Sequence, residues 1–230
     1  MHILEECGDF FREFRSHFRT TGAILPSSRF LARALVKQLR GPRPACRILE
    51  VGPGTGSVTR EIVRRMRPGD RLDAVEINPH FARSLEERVA RDPAFAPRRD
   101  DIHVINAPVQ EVPGESVYDF ILSGLPLNNF STADIRDIFA TFTRLLRPGG
   151  TLTYFEYALI RELKAPFVSR RERRRLFRVG RLVGRYIKDF QVRRERIFLN
   201  VPPAIVRQLC LKPDPCGARA DVVSCRGGRG

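Results

Sequence analysis

The chain has 230 residues, 42% hydrophobic and 29% charged, which suits one domain with a substantial core and excludes a disordered or polytopic membrane chain. Its 41 Lys and Arg against 26 Asp and Glu leave a formal net charge of +15 and a pI near 10.8, which calls for an anionic partner: nucleic acid, phospholipid headgroups or a phosphorylated substrate. The longest uncharged stretch, Phe120 to Ala133, is 14 residues, short of the roughly 20 that a membrane-spanning helix needs, so no bilayer crossing is expected.

At the N-terminus Glu5, Glu6 and Asp9 stand where a secretory signal would carry basic and then apolar residues, so export is not expected. Residues 1–22 read instead as an amphipathic helix. Phe10, Phe11, Phe14 and Phe18 share one face, and Arg12, Arg15 and Arg19 lie opposite, a pattern suited to an anionic membrane surface. The alternative is a helix packed on the domain with a solvated basic back.

Residues 23–212 read as the domain proper. Short apolar runs at Arg47–Gly52, Leu72–Ile77, Ile102–Ile105, Tyr118–Ser123 and Thr151–Tyr157 alternate with helical patterns at Ser57–Met66, Pro79–Arg91 and Ala133–Leu146. That alternation predicts an α/β doubly wound, mostly parallel sheet covered on both faces. Charge is distributed unevenly: residues 47–160 are net −2, 161–196 net +10, and the outer segments 1–46 and 197–230 net +4 and +3. A basic amphipathic helix is expected over 165–190, with Leu176, Val179, Val183, Tyr186, Ile187 and Phe190 opposite Arg174, Arg178, Arg181, Arg185 and Lys188. It either meets the membrane or only packs on the domain. Residues 213–230, rich in Gly, Pro and Arg, read as a flexible tail.

The first strand runs into Glu50-Val51-Gly52-Pro53-Gly54-Thr55-Gly56-Ser57 and then directly into a helix. Glycines there allow a tight turn and close approach of the backbone to a ligand. Glu76 follows Gly56 by 20 residues, where a carboxylate accepts both hydroxyls of a ribose, so an adenosine-type cofactor is expected. The dinucleotide fingerprint requires a third glycine at i+5, where this chain has Ser57. The E-V-G-P-G-T-G string resembles the first motif of class I S-adenosylmethionine-dependent methyltransferases. That resemblance implies a seven-stranded Rossmann-like sheet, S-adenosylmethionine as cofactor and S-adenosylhomocysteine as product. It also implies cofactor contacts at Glu50, Gly52, Gly54, Gly56, Glu76, Asn106, Ala107 and Ser123. Leu145-Leu146-Arg147-Pro148-Gly149-Gly150 resembles the same superfamily's turn before the fifth strand.

The acceptor is set at the end of the fourth strand, at Ser123-Gly124-Leu125-Pro126-Leu127. The rRNA adenine dimethylases carry an Asn/Asp-x-Pro-aromatic motif there. Aligned on proline, this chain has Gly124 and Leu127 in place of the amide and the ring, which argues against a nucleic-acid partner. SGLPL, the upstream Gly22–Leu31 segment with Arg29, Glu76-x-Asn78-Pro79 and Asn200-Val201-Pro202-Pro203-Ala204 resemble bacterial soluble-type phospholipid N-methyltransferases. The resemblance implies stepwise methylation of phosphatidylethanolamine toward phosphatidylcholine, with Leu125, Pro126 and Leu127 near the substrate. It further implies an enzyme in the cytoplasm, peripherally bound to the inner face of the cytoplasmic membrane. Another amino lipid such as an ornithine lipid, an RNA acceptor, and a noncatalytic lipid- or RNA-binding module are the competing readings.

An acceptor amine with a Lys-like reference pKa of about 10.4 must shed its proton before it attacks. Glu156 and Tyr157, with Tyr154, are the expected catalytic residues near the end of the fifth strand; ordinary strand packing is the alternative. Five scattered cysteines without CxxC spacing and four histidines without metal spacing predict reduced thiols and no metal. The oligomeric state is left open.

Overall fold

The computed structural model describes residues 29–157, 170–200 and 203–212. Helix α1 (Arg29–Leu35) leads to β1 (Arg47–Val51), α2 (Ser57–Val63), β2 (Arg71–Val75), α3 (Pro79–Arg91) and β3 (Ile102–Ile105). There follow β4 (Tyr118–Ser123), α4 (Thr132–Leu145), β5 (Leu146–Tyr157), α5 (Arg170–Phe190), β6 (Gln191–Ile197) and β7 (Ala204–Leu209). The strands form one sheet in the order β3-β2-β1-β4-β5-β7-β6, with β1 to β5 parallel and β7 antiparallel to both neighbours. The doubly wound, seven-stranded sheet expected from the sequence is the fold found.

Strand alternation divides the core between two faces. Ile48, Leu72, Phe120 and Leu122 pack with Ile62 and Val63 of α2 and with Leu85 and Val89 of α3. Leu49, Val75, Ile121 and Leu152 pack with Ile138 and Phe142 of α4 and with Val179 and Val183 of α5. Helix α1 covers the far end of the first face, where Leu31 and Leu35 meet Phe155 and Val206. Helix starts follow local chemistry. Pro79 opens α3, and Asn78 Oδ1 accepts from the His80 and Phe81 amides at 2.9 and 3.4 Å. Ser131 and Asp134 exchange side-chain-to-backbone bonds at the start of α4.

Two expectations are corrected. Strand β2 ends at Val75, so Glu76 sits just beyond the strand. Strand β5 begins at Leu146, because Arg147–Gly150 forms an irregular stretch of the strand where the register with β4 shifts between Tyr118 and Phe120. Gly149 there has φ +74°, and proline offers no ladder donor. The basic helix, described from Arg170, buries Leu176, Val179 and Val183 in the core, so its apolar stripe is already covered by protein. Its outward side carries Arg174, Arg178, Arg181, Arg185 and Lys188, with Phe177 exposed among them. Among the described residues no helix is long and apolar enough to cross a membrane. The expected helix over 1–22, with Phe10, Phe11, Phe14 and Phe18, and the tail from 213 lie outside the described residues.

Phe139 joins α4, β5 and α5: it is fully buried, stacks on Tyr186 at 4.2 Å and meets the Tyr154 edge at 6.3 Å. Phe139→Ala is expected to cost about 3–5 kcal/mol in urea unfolding; a loss below about 1 kcal/mol would show that the two helices dock independently of this ring.

Candidate active site

The ends of β2, β1 and β4 are tied together by backbone bonds. Gly52 N–H donates to the Val75 carbonyl at 2.9 Å, and Gly124 N–H donates to the Val51 carbonyl at 2.8 Å. Gly52, Gly54 and Gly56 have φ of +72°, +54° and +75°, the left-handed region that glycine enters without strain. Space is equally short. A Cβ on Gly56 would lie 2.9 Å from Leu85 Cδ1, and one on Gly124 would lie 2.7 Å from the Gly52 carbonyl oxygen. Arg88 of α3 donates to the Thr55 carbonyl and so clamps the turn from the side.

Beside this turn opens a cleft of about 440 Å³, counted with its mouth. Gly52, Glu76 and Ala107 line it with the apolar side chains of Val109, Leu125 and Phe130. The Glu76 carboxylate accepts from the Gly54 amide at 3.1 Å and the Asn78 amide at 3.0 Å. A carboxylate has about four acceptor positions, so this backbone anchoring is compatible with a ribose diol on the same group.

Glu50 supplies the second test of fit. It is 2% exposed, and neither carboxylate oxygen has a hydrogen-bond partner, nor does the Thr59 hydroxyl beside it. Burial pushes its carboxyl up to about 8, Thr59 pulls the other way, and Glu76 adds to the rise. The Glu50 carboxyl, which does not itself line the cleft, is therefore protonated at neutral pH, and a cation brought close, such as a sulfonium, would favour its ionised form. Glu76, the glycine turn, Ala107 and the apolar wall therefore fit S-adenosylmethionine.

The other expected site residues make contacts within the chain. Both amide donors of Asn106 go to the Glu76 and Ile77 carbonyls, at 2.7 and 3.2 Å, so this side chain braces two loops and has no donor left for an adenine ring. Ser123 is buried, and its Oγ accepts from the Leu125 amide at 3.3 Å, which shapes the turn. Leu125 lines the cofactor cleft, Pro126 is half-buried, and Leu127 belongs to the core, so the SGLPL string is divided among three environments. Arg29 opens α1, exposed, over the Phe30 ring at 5.4 Å.

The expected catalytic group does not converge. Alternation puts Tyr154 and Glu156 on one face of β5 and Tyr157 on the other. Glu156 pairs with Arg207 at 3.3 Å and accepts from the Tyr154 hydroxyl at 3.2 Å. Tyr157 packs edge-on to Phe155 at 5.1 Å, and burial raises its hydroxyl above the usual phenol range, which keeps it protonated at neutral pH. Phe130, Val109 and Arg88 were not foreseen. Phe130 and Val109 are apolar residues in loops beyond β4 and β3, a weak sign, and Arg88 stands one residue in three along α3 from Leu85, which packs against the same turn. Among the described residues no His, Cys, Asp or Glu cluster converges on a metal site.

A family model described as a methyltransferase domain matches residues 48–150. The chain is 33% identical to the ornithine lipid N-methyltransferase of Singulisphaera acidiphila over 73% of this chain and 83% of that protein. It is 36% identical to an rRNA methyltransferase of Streptomyces thermotolerans over 51% of this chain but 35% of that protein. Its fold resembles the S-adenosylmethionine complex of the O-methyltransferase TomG from Streptomyces achromogenes, with TM-score 0.58 and 18% identity over 90% and 88% of the two chains.

Glu50 holds its proton up to about 8 when folded, against 4.5 as the ordinary value, so the folded state binds more protons between those values. The stability of the ligand-free protein is therefore expected to fall as pH rises from about 4.5 to 8. Glu50→Gln should remove this slope and gain about 4–5 kcal/mol at pH 8.5 while matching the parent at pH 4; identical urea midpoints at pH 8.5 would contradict it. Glu76→Gln is expected to weaken S-adenosylmethionine binding about tenfold or more in calorimetry, since the amide presents fewer acceptors.

Proposed function

Because this chain belongs to the class I S-adenosylmethionine-dependent methyltransferase family, we propose that it methylates the amine of an amino-acid-headed membrane lipid of the ornithine type, seated on an anionic membrane surface. The observation that carries this reading is the 33% identity to an ornithine lipid N-methyltransferase across 83% of that protein. It favours an ornithine-type headgroup ahead of phosphatidylethanolamine, the acceptor expected from the motif resemblance.

S-adenosylmethionine is the cofactor, and when bound it supplies a methyl group already activated on a sulfonium. The chain's own task is alignment and desolvation. Glu76 would orient the ribose, the glycine turn would let the backbone come close, and Glu50 would answer the cofactor's positive charge. Leu125 and Phe130 present an apolar wall that keeps water out. With Glu156 engaged by Arg207 and Tyr157 neutral, desolvation of the ammonium, which disfavours its charged form, is the route to a free amine that these residues support.

Membrane seating is supported by charge. The exposed back of α5 carries five basic residues, and each near an anionic leaflet is worth about 1 kcal/mol. The RNA reading is opposed at Gly124: a side-chain amide placed there would drive its Cβ into the Gly52 carbonyl. The purified protein, given labelled S-adenosylmethionine with ornithine lipid, phosphatidylethanolamine or rRNA in mixed micelles, should place label in the ornithine lipid at least tenfold above RNA. Label recovered in RNA alone would overturn the proposal.

A further inference from the structure

Strand register fixes which residues share the edge of the sheet that carries the cofactor cleft. Ala204 pairs with both Tyr157, at the carboxyl end of β5, and Ile197, at the end of β6. The turn after β6 therefore emerges on the same edge as the cleft, three strand spacings from β4, or about 15 Å. At that turn Phe198 and Leu199 are 73% and 69% exposed. Helix α5 runs antiparallel to β6, and Arg175 near its start donates to the Phe130 carbonyl at 2.8 Å, so its first turns lie at this edge too. There Phe177 is 65% exposed beneath the Arg181 guanidinium, 5.3 Å from the ring.

The strand and the helix that carry these apolar groups are basic. Arg193, Arg194 and Arg196 are exposed on β6, and Arg174 and Arg178 on α5. The one acid on β6, Glu195, is paired with Lys37 at 3.0 Å and Arg193 at 3.5 Å. We propose that the Phe198–Leu199 turn, with Phe177 and the arginines around it, is a docking surface for an anionic bilayer that inserts the turn below the headgroups and points the cofactor cleft at the membrane.

This inference deepens the amino-lipid reading and rests on it for the choice of partner. Charge complementarity supports that choice: arginines flanking an aromatic and an aliphatic tip match an interface of anionic headgroups over acyl chains. A second copy of the same surface would oppose arginine to arginine; the Phe198 and Phe177 rings could stack on bases, but the aliphatic Leu199 beside Phe198 suits acyl chains and gives a nucleic acid no stacking plane.

The chain has no tryptophan, so Phe198→Trp creates a single fluorescent reporter at the turn. With phosphatidylglycerol vesicles its emission should shift to the blue and be quenched by brominated acyl chains, with little change on phosphatidylcholine vesicles. A Phe198→Ser/Leu199→Ser variant should lose at least tenfold in vesicle binding while keeping S-adenosylmethionine affinity and turnover on micellar lipid within about twofold. No shift and no quenching on anionic vesicles, vesicle binding unaffected by the serine variant, or a blue shift produced by self-association or RNA alone would each overturn the proposal. If the wild-type protein docks in this way but methylates no lipid, the amino-lipid reading fails and the docking surface stands; if it methylates micellar lipid with a turn that never inserts, the reverse holds.

Discussion

The close approach of three backbones at Gly52 is the constraint on which the site depends. Gly52 bonds to β2 through the Val75 carbonyl, and Gly124 bonds back to β1 through Val51, with 2.7 Å between the place of a Gly124 Cβ and the Gly52 oxygen. No side chain fits in that seam. The turn consequently lies flat across the carboxyl edge, Leu125 is pressed against it, and the Glu76 carboxylate reaches the Gly54 amide. The same closeness that admits a cofactor also leaves no room for the amide that an adenine-handling site places at the end of β4.

Two carboxylates near this seam have opposite surroundings. Glu76 is held by backbone amides and braced from beneath by Asn106, so it is a fixed acceptor. Glu50 is buried, and burial keeps it protonated at neutral pH, so a cation brought beside it would favour the ionised form. A fixed acceptor and a buried, protonated acid thus lie close together in the chain.

Charge is organised around the sheet in a similar division of labour. The segment 47–160, which supplies the cleft, is nearly neutral, while the basic residues lie on α5 and the edge strand β6. An edge strand crowded with arginine is protected from pairing with another sheet. The same strand leads into the exposed Phe198–Leu199 turn, so basic and apolar exposed groups follow one another along this edge.

The sequence by itself determined the five parallel strands, because alternating apolar runs and helical patterns are local, and it determined the glycine turn and Glu76, because their spacing along the chain sets their place in the fold. Strand β6 was hidden, since Gln191–Ile197 is polar along its length and is held by its neighbour β7 rather than by its own pattern. The roles of Glu156, Tyr157 and Asn106 were decided only by tertiary structure: what each group does depends on Arg207, on the opposite face of β5 and on the Glu76 carbonyl. The basic helix shows the same division. Its two faces are written in the sequence, but that the apolar face is spent on the core, leaving the arginines exposed, follows from where the sheet lies.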